Sequence, residues 1–138
     1  MVHELSLDGV FATYDQHTET ISIKFEGELT CKLTLEVHSW LRKLAPEVGI
    51  ANIRGVIFDY RNVSTFDKYY LTTFRVVNRK IEEDYDFSRI PTSLVARNAY
   101  QEQMLSISLR VAAAANRFQL VKDLESAQYF IKDWHQHN

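Results

Sequence analysis

Asp59, Arg61, Asp67, Lys68 and Arg97 are the charged residues best placed to do chemistry, because they sit just after apolar stretches that read as strands. In open α/β sheets ligands bind beyond the carboxyl ends of parallel strands. Segments 28–30, 61–67, 97–101 and 122–123 therefore come to one rim, which adds Glu28 and Lys122. Basic groups beside helix N-termini hold anions. Paired with carboxylates, the same groups form an Arg–Asp network that only satisfies loops and caps, and this is the commoner arrangement. Asp59 closes a buried run, where a carboxylate pairs with an arginine or accepts backbone N–H groups. Ser64 adds a hydroxyl on the same loop, next to Thr65. Tyr70 and Phe74 belong to a core stripe; for Phe66 and Tyr69 beside them core packing is the commoner arrangement, and where such rings are exposed near a loop they suit partner contact. The candidate residues for binding a ligand or partner are thus Asp59, Arg61, Ser64, Asp67, Lys68, Tyr69 and Arg97.

Nothing in the chain reads as catalytic machinery. There is no G-x-S-x-G, no glycine-rich phosphate loop and no G-x-G-x-x-G. Cys31 needs a base to act as a nucleophile, and the local histidine, His38, is about two helical turns away. His135 and His137 form an H-x-H pair, but a metal needs three or four rigid ligands, and a solvated terminus is expected here. His3 and His17 carry no pattern. No catalytic residue, metal site or cofactor is expected.

These residues need a scaffold, and composition bounds it. The chain has 138 residues, 46% hydrophobic and 25% charged, with a net charge of −2. That size and balance suit one domain over residues 1–138 with its own core. The charge offers no field to recruit nucleic acid. The single cysteine, Cys31, excludes an intrachain disulfide and points to a reducing compartment. The N-terminus lacks the basic and apolar regions of a signal peptide. No stretch approaches the ~18 apolar residues of a membrane span. The expected location is the cytoplasm.

Residues 20–26 alternate apolar and polar, the period of a half-buried strand, and residues 10–14 make a hairpin partner. Leu33, Val37, Trp40, Leu41 and Leu44 share one helical face, with Pro46 and Gly49 predicted to end that helix. The apolar run 55–58 suits a central strand covered on both faces. Asp67 is a predicted N-cap for a second helix bearing Tyr70, Phe74, Val77 and Ile81, with fraying expected at Glu82, Glu83 and Asp84. Residues 92–96 form a short strand. Asn98 caps a third helix carrying Leu105, Leu109, Ala112 and neighbouring Met104, Val111 and Ala115, with Asn116 as its stop. Residues 118–121 form the last strand, and Asp123 caps a helix turning Leu124, Ala127, Ile131 and Trp134 inward. This alternation predicts an α/β fold: a mixed, mostly parallel sheet with an antiparallel N-terminal hairpin and four helices. Val56, Ile57, Phe58, Leu41, Leu109 and Ile131 are the expected core.

The segment Val56-Ile57-Phe58-Asp59-Tyr60-Arg61-Asn62-Val63-Ser64-Thr65-Phe66-Asp67 resembles the STAS pattern of an apolar strand, an Asp, a later Val and an Asp opening a helix. The ending from Phe118 to Ala127, leading on to Trp134, is similar to the closing strand and helix of the bacterial SpoIIAA-like family. The resemblance runs from about Phe11 to Trp134 and implies a cytoplasmic STAS-like regulatory module acting through a protein partner. Anti-sigma-factor antagonists of this fold carry a phosphorylatable Ser directly after the helix-opening Asp. Here that position is Lys68, whose amine cannot serve as that serine, so the usual phosphoserine switch is not expected. SpoIIAA-like chains are also compared with the CRAL-TRIO lipid-binding fold. The alternative is therefore a carrier or sensor of a small apolar ligand, and a third reading is an enzyme built around Asp59, Arg61 and Arg97. A homodimer is expected through the N-terminal strand edge or the Phe66 and Tyr69 surface.

Overall fold

Residues 20–26 lie within a ten-residue strand, as their alternation predicts, and the polar loop before them turns the chain back on residues 10–15. The computed structural model describes residues 3–111 and 115–138. Its strands are β1 (Glu4–Leu7), β2 (Val10–Asp15), β3 (Thr20–Leu29), β4 (Gly55–Phe66), β5 (Thr92–Val95) and β6 (Phe118–Val121). Its helices are α1 (Cys31–Val48), α2 (Tyr70–Asp84), α3 (Ala99–Val111) and α4 (Leu124–His137). The strands form one sheet in the order β1-β2-β3-β4-β5-β6. The first three pair antiparallel and the rest parallel. The predicted mixed α/β sheet is thus present, and the strand holding residues 56–58 pairs in parallel with both β3 and β5.

A sequential strand order means that every crossover steps the same way. Right-handed crossovers then place α1, α2 and α3 on one face of the sheet. Alternation along β4 divides the core accordingly. Val56, Phe58 and Tyr60 face the large cluster beneath α1 to α3, whereas Ile57 joins Val95, Ala127 and Ile131 beneath α4. Gly55 is where α4 comes down on the sheet: a Cβ there would meet Ile131 side-chain carbons at 2.6–2.9 Å.

Several expectations need correction. The sheet has an additional edge strand, β1, so the edge is Glu4–Leu7 and not the 10–14 strand. Pro46 does not end α1, which continues to Val48 with Gly49 as its cap. Proline removes the N–H that would bond the Arg42 carbonyl. The Tyr85 hydroxyl donates to that carbonyl instead, at 3.2 Å. Tyr85→Phe is expected to lower stability by about 1–2 kcal/mol, measurable by urea titration. An unchanged midpoint would contradict this role for Tyr85. Asp67 is not the N-cap of α2; Tyr69 holds that position without a side-chain cap. The acidic end of α2 is compensated rather than frayed, since Glu82 pairs with Arg117 and Asp84 with Arg42. Asn98 and Asp123 do cap, accepting from the N–H groups of Gln101 and Ser126. Asn116 lies in a 3-10 turn before β6. Of the expected core, Val56, Ile57, Leu41 and Ile131 are buried, while Phe58 and Leu109 are only half-buried. Leu124 is exposed and Trp134 half-buried. The expected packing of Val111, Ala112 and Ala115 falls outside the described side chains.

Aromatic rings run through the main core as a continuous ladder. Phe25 stacks on Phe58 and Tyr60, Tyr60 leads to Phe66, and Phe66 leads to Tyr70 and Tyr100. Phe66 is therefore a core residue, as the favoured reading of this aromatic cluster predicts; at 8% exposed it has no free side for the expected self-association.

Candidate functional site at the carboxyl ends of the strands

Asp59 and Arg61 are two residues apart on β4, so their side chains stand on the same face. The guanidinium reaches back to grip the carboxylate, with Nε at 3.0 Å from Oδ1 and Nη2 at 2.9 Å from Oδ2. The Arg61 N–H also donates to Oδ1, at 3.1 Å. Burial pushes the Asp59 carboxyl up, but the hydrogen bonds and charge of Arg61, with the charge of Lys24, outweigh it and hold the carboxyl below its ordinary value. Arg61 is held above its ordinary value chiefly by its hydrogen bond to Asp59. A carboxylate committed in this bidentate way is a fixed structural charge.

Sequence reasoning missed Gln101, which organises this rim. It is fully buried; its Oε1 accepts the Arg97 N–H at 2.7 Å, and its Nε2 donates to the carbonyls of Arg61 and Val63. It ties the loop after β5 to the end of β4. The signal was present, because Asn98-x-x-Gln101 has the spacing of a capping box. Tyr100 is the second omission: its hydroxyl accepts the Phe66 N–H at 2.9 Å.

Among the described residues the side chains of the remaining candidates make no hydrogen bond or ion pair with Asp59 or Arg61, although Gln101 holds the Arg97 backbone beside Arg61. Arg97 is exposed and makes no ion pair among the described residues; the same holds for Glu28 and Lys122. Asp67 forms a separate corner. Its Oδ1 accepts the Tyr69 N–H at 2.8 Å and lies 3.5 Å from the Cys31 Sγ, to which the Thr73 hydroxyl donates at 3.1 Å. This Asx turn, opened by Asp67 three residues before Tyr70, sets up the first turn of α2. Lys68 lies over the Tyr69 ring, 5.0 Å from its centroid. Ser64 and Thr65 are exposed on β4. The Cys31–Thr73 contact sets α1 beside α2. About one turn further along each helix stand Leu35 and Val76, which are 53% and 58% exposed; Tyr69 is 59% exposed.

Between the sheet and the helices lies a cavity of about 30 Å³, lined by His38, Phe58, Phe74, Asn78 and Arg117 among others. That is space for water-sized molecules, against several hundred Å³ for organic ligands. The C-terminal histidines belong to α4 rather than to a frayed tail, with His137 solvated as expected and His135 half-buried. α4 continues to His137, and the His135 Nε2 lies 2.6 Å from the Arg54 carbonyl. Among the described residues no three or more His, Cys, Asp or Glu side chains gather as metal ligands, and no helix is long and apolar enough to cross a membrane.

No family model and no curated protein matches the sequence. Solved structures do match the fold. An uncharacterised protein with a SpoIIAA-like fold from Shewanella loihica superposes with a TM-score of 0.65 at 11% identity, covering 92% of this chain and 98% of that one. An anti-sigma factor antagonist from Mycobacterium paratuberculosis gives 0.62 at 12% identity, over 93% and 98% of the two chains. The Bacillus cell fate determinant SpoIIAA in its phosphorylated form gives 0.51 at 14%, over 80% and 90%. The chain therefore has the SpoIIAA-like, STAS-type fold that its sequence resembles.

Proposed function

We propose that this chain is a non-catalytic, STAS-like regulatory module that binds a partner protein at the corner formed by Asp67, Lys68 and Tyr69 and along the outer side of α1 and α2. The observation that carries the reading is Tyr69, 59% exposed on a corner whose backbone is fixed by Asp67. A rigidly presented tyrosine gives large contact area at little entropy cost. Leu35 and Val76 extend the surface. The fold shared with an anti-sigma factor antagonist supports a protein as the partner. By the sequence resemblance Lys68 falls where the family's phosphoacceptor serine would stand, which supports a module that works without that switch. The tight space between sheet and helices favours this reading over a carrier of an apolar ligand. Tyr69 and the free edge of β1 are also the surfaces proposed for two-fold self-association.

A photoactivated cross-linker placed at position 69 in the native host is expected to capture a polypeptide partner. The same group at Tyr129, 68% exposed on α4, is expected to capture none. Equal capture from both positions, or capture from Tyr129 alone, would contradict the assignment.

A further inference from the structure

The face of the sheet opposite α1 to α3 is only partly covered, because α4 packs on β4, β5 and β6. Where α4 meets the uncovered strands there is an open groove of about 500 Å³. Strand register builds its floor. Thr13 pairs across β2 and β3 with Ser22, and Ser22 pairs with Ile57 on β4; in the row two residues away Asp15 pairs with Thr20, and Thr20 with Gly55. Hydroxyls thus project side by side, with Ile57 and Ile131 as the apolar strip. The wall is α4, seated close to the sheet because Gly55 has no side chain, and it contributes Gln128, Lys132 and His135. Arg54 closes the end, its carbonyl bonded to His135.

The charges in this groove are unbalanced. Arg54 and Lys132 make no ion pair among the described residues. Among the described lining residues Asp15 is the one carboxylate; its Oδ1 accepts the N–H groups of His17 and Thr18, and against Arg54 and Lys132 it leaves the lining net positive. Carbonyls in the last turn of α4 are occupied as well, by the His137 and Asn138 side chains. Two free cations beside a row of hydroxyls match a ligand that has an anionic group and several hydroxyls. Among the described residues no aromatic ring other than the His135 imidazole lines the groove, which disfavours a stacked nucleobase. The volume falls in the range of small-molecule sites.

We propose that this groove binds a small phosphorylated polyol, such as a sugar phosphate, with Arg54 and Lys132 on the phosphate and Thr13, Thr20 and Ser22 on the hydroxyls. The site lies across the sheet from the surface proposed for the protein partner and does not depend on it. The test is an NMR titration of the full chain with ribose 5-phosphate, ribose and inorganic phosphate. Ribose 5-phosphate is expected to give saturable amide shifts at Thr13, Ser22, Gln128 and Lys132, with affinity at least about tenfold above that of inorganic phosphate or ribose. The Arg54→Gln/Lys132→Gln double variant should lose at least about tenfold in affinity while melting like the parent. No saturable shift with ribose 5-phosphate, equal affinity for inorganic phosphate, or an unaffected double variant would each overturn the proposal.

Discussion

Phe66→Ala is expected to destabilise the fold by about 3–5 kcal/mol, the usual loss for deleting a buried aromatic ring. Phe66 ends β4 and touches three elements at once: its centroid lies 5.0 Å from that of Tyr70 on α2, 5.7 Å from Tyr100 on α3 and 6.1 Å from Tyr60 within β4. Removing it leaves a void between the sheet and two helices that cannot close without moving all three. It also loosens the Tyr100 hydroxyl that accepts the Phe66 N–H. Phe66→Leu keeps most of the volume and should cost less than about 1.5 kcal/mol. Urea unfolding of both variants measures the difference. A loss below about 1 kcal/mol for the alanine variant would show that the ring is not part of the core.

The second large effect depends on pH. His38 lies on the sheet-facing side of α1 and is 8% exposed; its Nδ1 is 2.9 Å from the Thr34 carbonyl. Burial lowers its pKa from 6.5 to about 4, with the backbone bond to Thr34 pulling the other way. The unfolded chain therefore takes up the proton first as pH falls. Stability from this group is complete above about 6.5, declines below it, and is fully lost once the pH passes below about 4. The loss between about pH 7 and about pH 4 is expected to be about 3 kcal/mol. Acids held below their ordinary values, Asp59 among them, add to the total acid loss, so the contribution of His38 is the difference from a His38→Leu variant. Parallel pH profiles for the two proteins would contradict a buried neutral imidazole.

Much of the fold was legible because its signals are local. The alternation of residues 20–26, the apolar run 55–58 and the caps Asn98 and Asp123 each depend on near neighbours, and each stands where predicted. The errors share a different cause. Strand β1 is four mostly exposed residues, stabilised by pairing with β2 rather than by any apolar pattern of its own. Pro46 is tolerated because Tyr85, distant in sequence, supplies the lost hydrogen bond. The side of Phe66 expected to be open for self-association is closed by Tyr100 on α3, distant in sequence.

The candidate site was legible only in pieces. The Asp59–Arg61 pair follows from strand geometry and was anticipated as an Arg–Asp network. The separation of Asp67 from that pair, and the bridging role of Gln101, depend on how the loops after β4 and β5 settle. The groove beside α4 was not visible in the sequence, because its floor comes from the register of three strands and its depth from Gly55.

Native mass spectrometry of the protein purified from its own host, alongside Tyr69→Ala, tests the proposed function most directly. The parent is expected to carry a stoichiometric polypeptide partner and no phosphate in the 64–69 segment. Tyr69→Ala is expected to lose that partner while melting like the parent, since the ring it removes is mostly exposed. A parent chain with no partner, a partner retained by Tyr69→Ala, or a stoichiometric phosphate on Ser64 or Thr65 that alters partner binding would contradict it.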